Sequence, residues 1–479
     1  MARRRKNRFP ARIDQVTITG LADKGFCVGK TEEGLTVFVE DVAPGDVVDV
    51  RPFRKKKKVL FAAPLHFHQR SSERVEPFCQ HFGVCGGCKW QHFAYAGQLR
   101  EKERMVHDAF RRLGKVEVKE WEPILGSEDI RFYRNKLEFG CANRRWLTTE
   151  EIGTDIDNEE PVIGFHKAGA YDKLIQIEEC HLQHGPSNEL RNGLRALATE
   201  LAVPFFDMRE RHGLLRQMMV RTTTTDECMV VIAFFSDDQP TIRRFLDAAL
   251  ERFGSEITSL FYCINPKVNE YLMDLEMVHY AGQEYITERL DHVAFRIGPK
   301  SFFQTNTRQA ERLYAIARDF AGLTGEENVY DLYTGLGSIA LYVADRCRKV
   351  VGIEEIAAAI DDARENARLN NVGNATFYAG QVQDILTDAF AADHGKPDVL
   401  ITDPPRAGMH PKVVNMLLEM EVPRIVYVSC NPATQARDLA LLDERYEILR
   451  ARPVDMFPHT SHVENVVLLS LRNLDAVKG

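Results

Sequence analysis

The chain has 479 residues, 44% of them hydrophobic and 28% charged, with a net charge of −8. That length exceeds what one ordinary core organises, so two to four domains of a globular protein are expected. No run of about 18 apolar residues exists, which excludes a hydrophobic transmembrane helix, and the basic start MARRRKNRFP is followed by no apolar stretch that would read as a secretory leader. A cytoplasmic location, with the ten cysteines held as thiols or metal ligands, follows as an expectation.

Charge is unevenly placed. Residues 1–60 hold 14 Lys and Arg against 8 Asp and Glu, a net +6 that leaves −14 on the rest. Two basic runs, Arg3–Arg8 and Arg54–Lys58, flank short alternating segments: Val16 and Ile18, Phe26 and Val28, Val37 to Val39, Val47 to Val50, and Val59 to Phe61. Gly20, Gly25, Gly29, Gly34 and Pro44-Gly45 punctuate them. Five short strands at that spacing predict a small OB-like β-barrel over residues 8–66. Such barrels commonly hold single-stranded nucleic acid on a basic face. The placing of Gly20, Gly25–Gly29, Val37–Val39, Pro44-Gly45-Asp46 and Val48 resembles a TRAM domain, which implies RNA binding.

Residues 75–93 contain Cys79, Cys85 and Cys88 at C-x5-C-x2-C spacing, with Gly86 and Gly87 permitting a tight turn between thiolates. Three thiolates need a fourth partner in a tetrahedral zinc site or a four-cysteine cluster site. Cys180 is the first candidate and Cys141 the second; ligand softness does not separate zinc from iron–sulfur. His81 and His92 read as polar neighbours. Residues 94–118 carry apolar positions at helical spacing. Beyond Arg131, strand-like segments alternate with helical ones at Ser187–Leu201 and Gln239–Phe253, an α+β region taken as 94–290. Tyr133-Arg134-Asn135-Lys136 opens it, as an RNA contact or as an exposed strand end.

Strand–helix alternation over 291–475 predicts an α/β, doubly wound, mostly parallel sheet. Asp331 precedes a turn with Gly335 and Gly337, and Glu354 ends the next strand 19 residues past Gly335. Asp403-Pro404-Pro405 and Ser429-Cys430-Asn431-Pro432 end two later strands. Pro432 pushes Asn431 out of the helical conformation, so Cys430 falls on the turn at a strand's C-terminal end. That edge is where open α/β sheets bind ligands. The glycine turn and following acid are formally compatible with a dinucleotide and an NAD(P)-dependent oxidoreductase. An acid before the glycines, a second at Asp403 and a thiol at Cys430 fit a cationic sulfonium and base-modifying chemistry better.

With SFFQTN (Ser301–Asn306), YDLYTGLGS (Tyr330–Ser338), DPPRAGMHP (Asp403–Pro411), YVSCNPATQARDL (Tyr427–Leu439) and FPHTSHVENVVLL (Phe457–Leu469), the chain resembles the uracil-C5 RNA methyltransferase family, which forms 5-methyluridine. The resemblance implies a Rossmann-like methyltransferase domain with S-adenosyl-L-methionine as methyl donor. It implies Cys430 as the nucleophile and Glu464 as the base. Gln304, Tyr333, Glu354, Asp403 and the Asp331–Gly337 loop, with Gly335, would hold the cofactor. Cys79, Cys85, Cys88 and Cys180 would ligate a 4Fe–4S cluster. The TRAM pattern and cysteine motif together point to 23S ribosomal RNA as partner more than to transfer RNA, a transfer-RNA uracil-C5 methyltransferase being the runner-up. A monomer that engages neither DNA nor membrane is expected. Thr334 departs from the family's usual Cys at what reads as a packing position. Gln381 stands where an acid often meets the adenine. A non-catalytic iron–sulfur RNA-binding protein is the alternative from another class.

Overall fold

The computed structural model describes residues 9–31, 33–148 and 151–473; the basic run Arg3–Arg8 lies outside them. Ile13–Leu21, Cys27–Lys30, Thr36–Val39, Val47–Lys56 and Val59–Gln69 close into a five-stranded barrel. Alternation drives it: Val16, Ile18, Val37, Val39, Val48, Val50 and Leu60 turn inward and are almost wholly buried.

A seven-stranded sheet follows, in the order Val278–Gly282, Ser259–Ile264, Cys228–Phe234, Leu215–Thr222, Lys136–Ala142, Val162–His166, Leu174–Gln176. Only Cys228–Phe234 and Ser259–Ile264 run parallel. The expected helices are present as Ser187–Glu200 and Gln239–Phe253. They cover the face made by Met218, Val220, Val230 and Ile232. The intervening residues Met219, Met229 and Val231 point the other way, into the core of the C-terminal half. One sheet therefore supplies two cores.

The C-terminal half is an eight-stranded sheet in the order Ala375–Ala379, Lys349–Glu354, Asn328–Leu332, Val399–Thr402, Arg424–Ser429, Glu464–Leu471, Tyr446–Val454, Val118–Trp121. The first five strands are parallel, and Glu464–Leu471 is antiparallel to both its neighbours. Apolar side chains fill both faces, as a doubly wound sheet requires.

Two details differ from the sequence reading. The helix expected over 94–118 stops early: Tyr95–Ala109 widens into a π-helical turn, Phe110–Gly114, and Lys115 with φ 53° ends it. Residues Val118–Trp121 then form a strand parallel to Tyr446–Val454 at the edge of the C-terminal sheet. Residue 290 does not divide two bodies either, since Ile286–Leu290 and Val293–Ile297 pair as one hairpin whose Leu290 and Val293 share a core. Among the described residues no helix is long and apolar enough to cross a membrane.

Candidate active site at the C-terminal sheet edge

The parallel strands end along one edge, and their ends carry the acids. Asp331 is next to last in Asn328–Leu332 and 1% exposed. Its Oδ2 accepts the Thr334 hydroxyl at 2.5 Å and the Ala340 N–H at 3.0 Å, while Oδ1 is buried with no hydrogen-bond partner among the described residues. Burial raises its pKa to about 7 against the help of those donors. The chain then turns through Tyr333 (φ 64°), Gly335 (φ 57°) and Gly337 (φ 86°) into the helix Ser338–Val343. A non-glycine residue in that left-handed region is uncommon and costs free energy, so Tyr333 is held there by its surroundings. A Cβ on Gly337 would lie 3.3 Å from Ala363 and Phe377, so that glycine serves packing as well as φ. Glu354 accepts the Gly335 N–H at 3.2 Å and the Ile356 N–H at 3.0 Å. Thr334 is thus more than a packing residue. Gln381, the other departure, donates to Glu355 at 2.9 Å and accepts from Gln383 at 2.5 Å.

Strand register assembles the rest. Ser429 is the partner of Asn465 in the antiparallel pair, so the next position outward sets Cys430 against Glu464. Asp403 is the first residue after Val399–Thr402 and donates its N–H to the Leu332 carbonyl at 3.4 Å. The Asn431 side chain caps the following helix through the Ala433 N–H and donates to the Arg406 carbonyl at 2.9 Å. This ties the Cys430 turn to the Asp403–Arg406 turn. Burial, then Glu464 and Asp403, push the Cys430 thiol up to about 11, with Arg406 opposing. Burial lifts Asp403 to about 7, aided by Asp331. Glu464, 4% exposed, is lifted well above the usual carboxylate range by burial and by Asp403. Glu354, Asp331, Asp403, Glu464 and Cys430 form one chain of mutually felt charges along the edge.

Gln304 lies on the loop before helix Thr307–Ala321, and the central sheet holds that loop. Asn135 donates its side-chain amide to the Gln304 carbonyl and to the Thr307 hydroxyl, each at 2.9 Å, and its N–H to the Thr305 carbonyl at 2.8 Å. Arg221, 3% exposed, donates to the Ser301 carbonyl at 3.0 Å and the Gly298 carbonyl at 3.2 Å. Both were missed as site-supporting residues. A cleft of about 860 Å³ takes in Phe132, Tyr133, Arg134, Asn135, His184 and Arg308, while Lys136 lines the cysteine cavity described next.

Cys79, Cys85, Cys88 and Cys180 line one cavity of about 270 Å³. The competitor Cys141, fully buried in the same core as Cys180, does not line that cavity. Among the described residues no three His, Cys, Asp or Glu side chains converge as a single ion would need. The four thiols surround a space rather than a point. His81 borders the cavity and accepts the Glu178 N–H at 3.1 Å, while the His92 ring meets the Val42 carbonyl at 3.1 Å. This segment also grips the loop leading to Glu464. The Lys89 and Trp90 N–H groups donate to the His459 carbonyl at 2.8 and 3.1 Å. Lys102 and Asp455, both fully buried, pair at 2.6 Å, and Lys102 also donates to the Phe457 carbonyl.

Comparison with known proteins agrees with this architecture. A family profile described as tRNA (Uracil-5-)-methyltransferase matches residues 278–472, and a TRAM domain profile matches residues 12–65. Over 456 residues, 94% of this chain and 100% of the relative, the sequence is 50% identical to a protein of Bacteroides thetaiotaomicron described as an uncharacterized RNA methyltransferase. A protein of Porphyromonas gingivalis with the same description is 52% identical over 96% of this chain and 100% of its own. The crystal structure of the Pyrococcus abyssi tRNA (uracil-54, C5)-methyltransferase in complex with S-adenosyl-L-homocysteine superposes with a TM-score of 0.74 at 30% identity, covering 95% of this chain and 100% of that one. The chain belongs to the S-adenosylmethionine-dependent RNA uracil-C5 methyltransferase family.

Proposed function

We infer that this protein methylates C5 of a uridine in RNA, with Cys430 as nucleophile and Glu464 as base. The observation that supports this best is the register that sets Cys430 against Glu464 at the end of one paired strand, with Asp403 on the adjacent strand end. C5 of uracil is a poor nucleophile until C6 is attacked. The Cys430 thiol gives its proton to solvent at the open sheet edge, and its sulfur bonds to C6 and moves the C5–C6 π electrons into an enolate. The enolate carbon C5 takes the sulfonium methyl, and the sulfonium leaves as a neutral thioether. Glu464 removes the C5 proton, the double bond re-forms, and the thiolate departs from C6. Burial keeps Glu464 able to hold that proton.

The edge fits a sulfonium cofactor. It concentrates carboxyls near a site for positive charge, and Asp331 Oδ1 is a buried acceptor that lacks a donor among the described residues. In this reading Glu354 accepts from the ribose hydroxyls, and Gln304, Tyr333, Asp403 and the Gly335–Gly337 turn complete the surround. The test is Glu464→Gln: with proton removal blocked, RNA and cofactor together should give a denaturant-stable protein–RNA adduct that Cys430→Ala does not form. No adduct and unimpaired turnover in Glu464→Gln would falsify the assignment.

Cys79, Cys85, Cys88 and Cys180 fit a 4Fe–4S cluster. Zinc draws its sulfurs to about 2.3 Å from one centre, whereas thiols spread around a cavity suit a larger polynuclear group. Bound there, the cluster would supply a fixed hub for the two segments that carry its ligands. For the substrate we favour 23S ribosomal RNA over transfer RNA. The barrel and cysteine segment support that choice only weakly, because the tRNA enzyme of Pyrococcus abyssi aligns with nearly the whole chain. Mass spectrometry of ribosomal and transfer RNA from cells lacking the protein decides it: missing 5-methyluridine in transfer RNA alone reverses the choice. Because C6 must be exposed above Cys430, the target base is flipped out, at a cost of a few kcal/mol.

A further inference from the structure

Outward positions on a small barrel are ordinarily polar. On one wall of this barrel they are aromatic. Register puts Val28 across from Phe38, Phe38 across from Phe61, and Arg54 across from Phe61, so the four lie in one row over adjacent strands. The Phe38 and Phe61 rings are 5.5 Å apart, and Phe26 meets Phe61 edge-on at 5.3 Å. The Arg54 guanidinium lies 3.9 Å from the Phe61 ring centre. None of the three rings belongs to the buried core of the barrel; all are part-exposed, and Phe53 nearby is 47% exposed. The adjoining row sets Lys30 across from Thr36 and Lys56 across from Val59. Among the described residues Arg54 and Lys55–Lys58 form no ion pair, whereas Arg437, Arg445, Arg450 and Arg472 of the C-terminal half all do.

Exposed rings beside unneutralised cations match one kind of partner. An unpaired nucleobase offers a flat π face to the rings and the guanidinium, and its phosphate falls to the lysines. A duplex hides its base faces and offers phosphates, 2′-hydroxyls and base edges, none of which stacks on a ring. We propose that the Phe38–Phe61–Arg54 row is a stacking platform for unpaired bases of RNA, with Lys30 and Lys55–Lys58 along the phosphates. The proposal rests on the RNA methyltransferase reading for the identity of the strand, and it adds the surface and the mode of contact.

The experiment uses the full chain with a fluorescent short oligouridylate and, separately, a short RNA duplex. Phe38→Leu combined with Phe61→Leu should weaken oligouridylate binding about tenfold or more, leave duplex binding unchanged and leave the salt dependence unchanged. Phe61→Trp should retain the affinity, because it keeps a π face where Leu keeps only apolar bulk. Replacing Lys55–Lys58 by Gln should flatten the slope of log affinity against log salt by up to about 3, at about 0.7 per phosphate contact on a single strand. Equal oligouridylate affinity in the Leu pair and the parent overturns the platform, as does an equal loss on duplex. If the Leu pair unfolds, Arg54→Gln gives the same readout: a severalfold loss on oligouridylate supports the platform, and none overturns it. Methyl transfer to RNA is followed in parallel with the parent chain. Transfer without any effect of the Leu pair removes the platform and keeps the reaction; a platform effect without transfer does the reverse.

Discussion

Of the settings in which the chain shields thiols, the sheet edge at Cys430 and the cavity at Cys85 and Cys88 make the sharpest contrast, and burial alone does not tell them apart. Cys430 and Cys85 are both raised to about 11, and Cys88 to about 12, each chiefly by desolvation. Their neighbours differ. Cys430 faces an arginine and two carboxyls at an open sheet edge, and carboxyls take and give protons. Cys85 and Cys88 face other cysteines across a cavity, groups that share a charge rather than move one. A raised thiol is therefore read by the company it keeps, not by the size of its shift.

The sharpest way to break the contrast is Cys430→Ala. It should lower methyl transfer at least a thousandfold; if the proposed cluster occupies the cysteine cavity, its visible absorbance should survive Cys430→Ala and be lost in Cys85→Ser. Next is the buried pair that supports the loop between the settings. Lys102→Met leaves Asp455 buried without its cation, and chemical denaturation should show a loss of about 3–5 kcal/mol. Third, Asp331 has its folded pKa raised from 3.8 to about 7 by burial. The stability it contributes is full below about pH 4 and is lost as pH rises through about 7. Asp331→Asn escapes that loss, so its melting temperature should gain on the parent between about pH 5 and pH 8, a gain worth up to about 4 kcal/mol, while calorimetry shows weaker S-adenosylmethionine binding. The smallest expected effect is at Arg221. Arg221→Lys reaches fewer carbonyls of the loop carrying Gln304, and KM for the cofactor should rise about tenfold (about 1.4 kcal/mol) with kcat little changed.

Much of this was legible because local chemistry and global fold agree. The strand that ends in Ser429 and the prolines at Pro404 and Pro432 mark the sheet edge in the sequence itself, and with it Asp403 and Cys430. The barrel announces itself through alternation and glycine. What was hidden is what depends on distant partners. Val118–Trp121 reads as a polar four-residue stretch and becomes a strand only because Tyr446–Val454, more than 300 residues on, offers its edge. Arg221 sits in a strand, where an arginine ordinarily marks the solvent side; it is buried because carbonyls from residues 298 and 301 satisfy it. Thr334 looked like filler until its hydroxyl met Asp331. Nothing in the local sequence buries Glu464; the register with the Cys430 strand gives it its burial and its neighbour.

The central sheet, with Met218 and Val220 facing one core and Met219 and Val231 facing the other, has a consequence for how the protein comes apart. A protease that nicks the loops between the two halves would not free a soluble catalytic fragment, because excision leaves a greasy scar where Met219, Met229, Val231 and Phe261 were seated. The halves should melt in a single transition, and a gene truncated before residue 278 should yield inclusion bodies rather than a minimal enzyme.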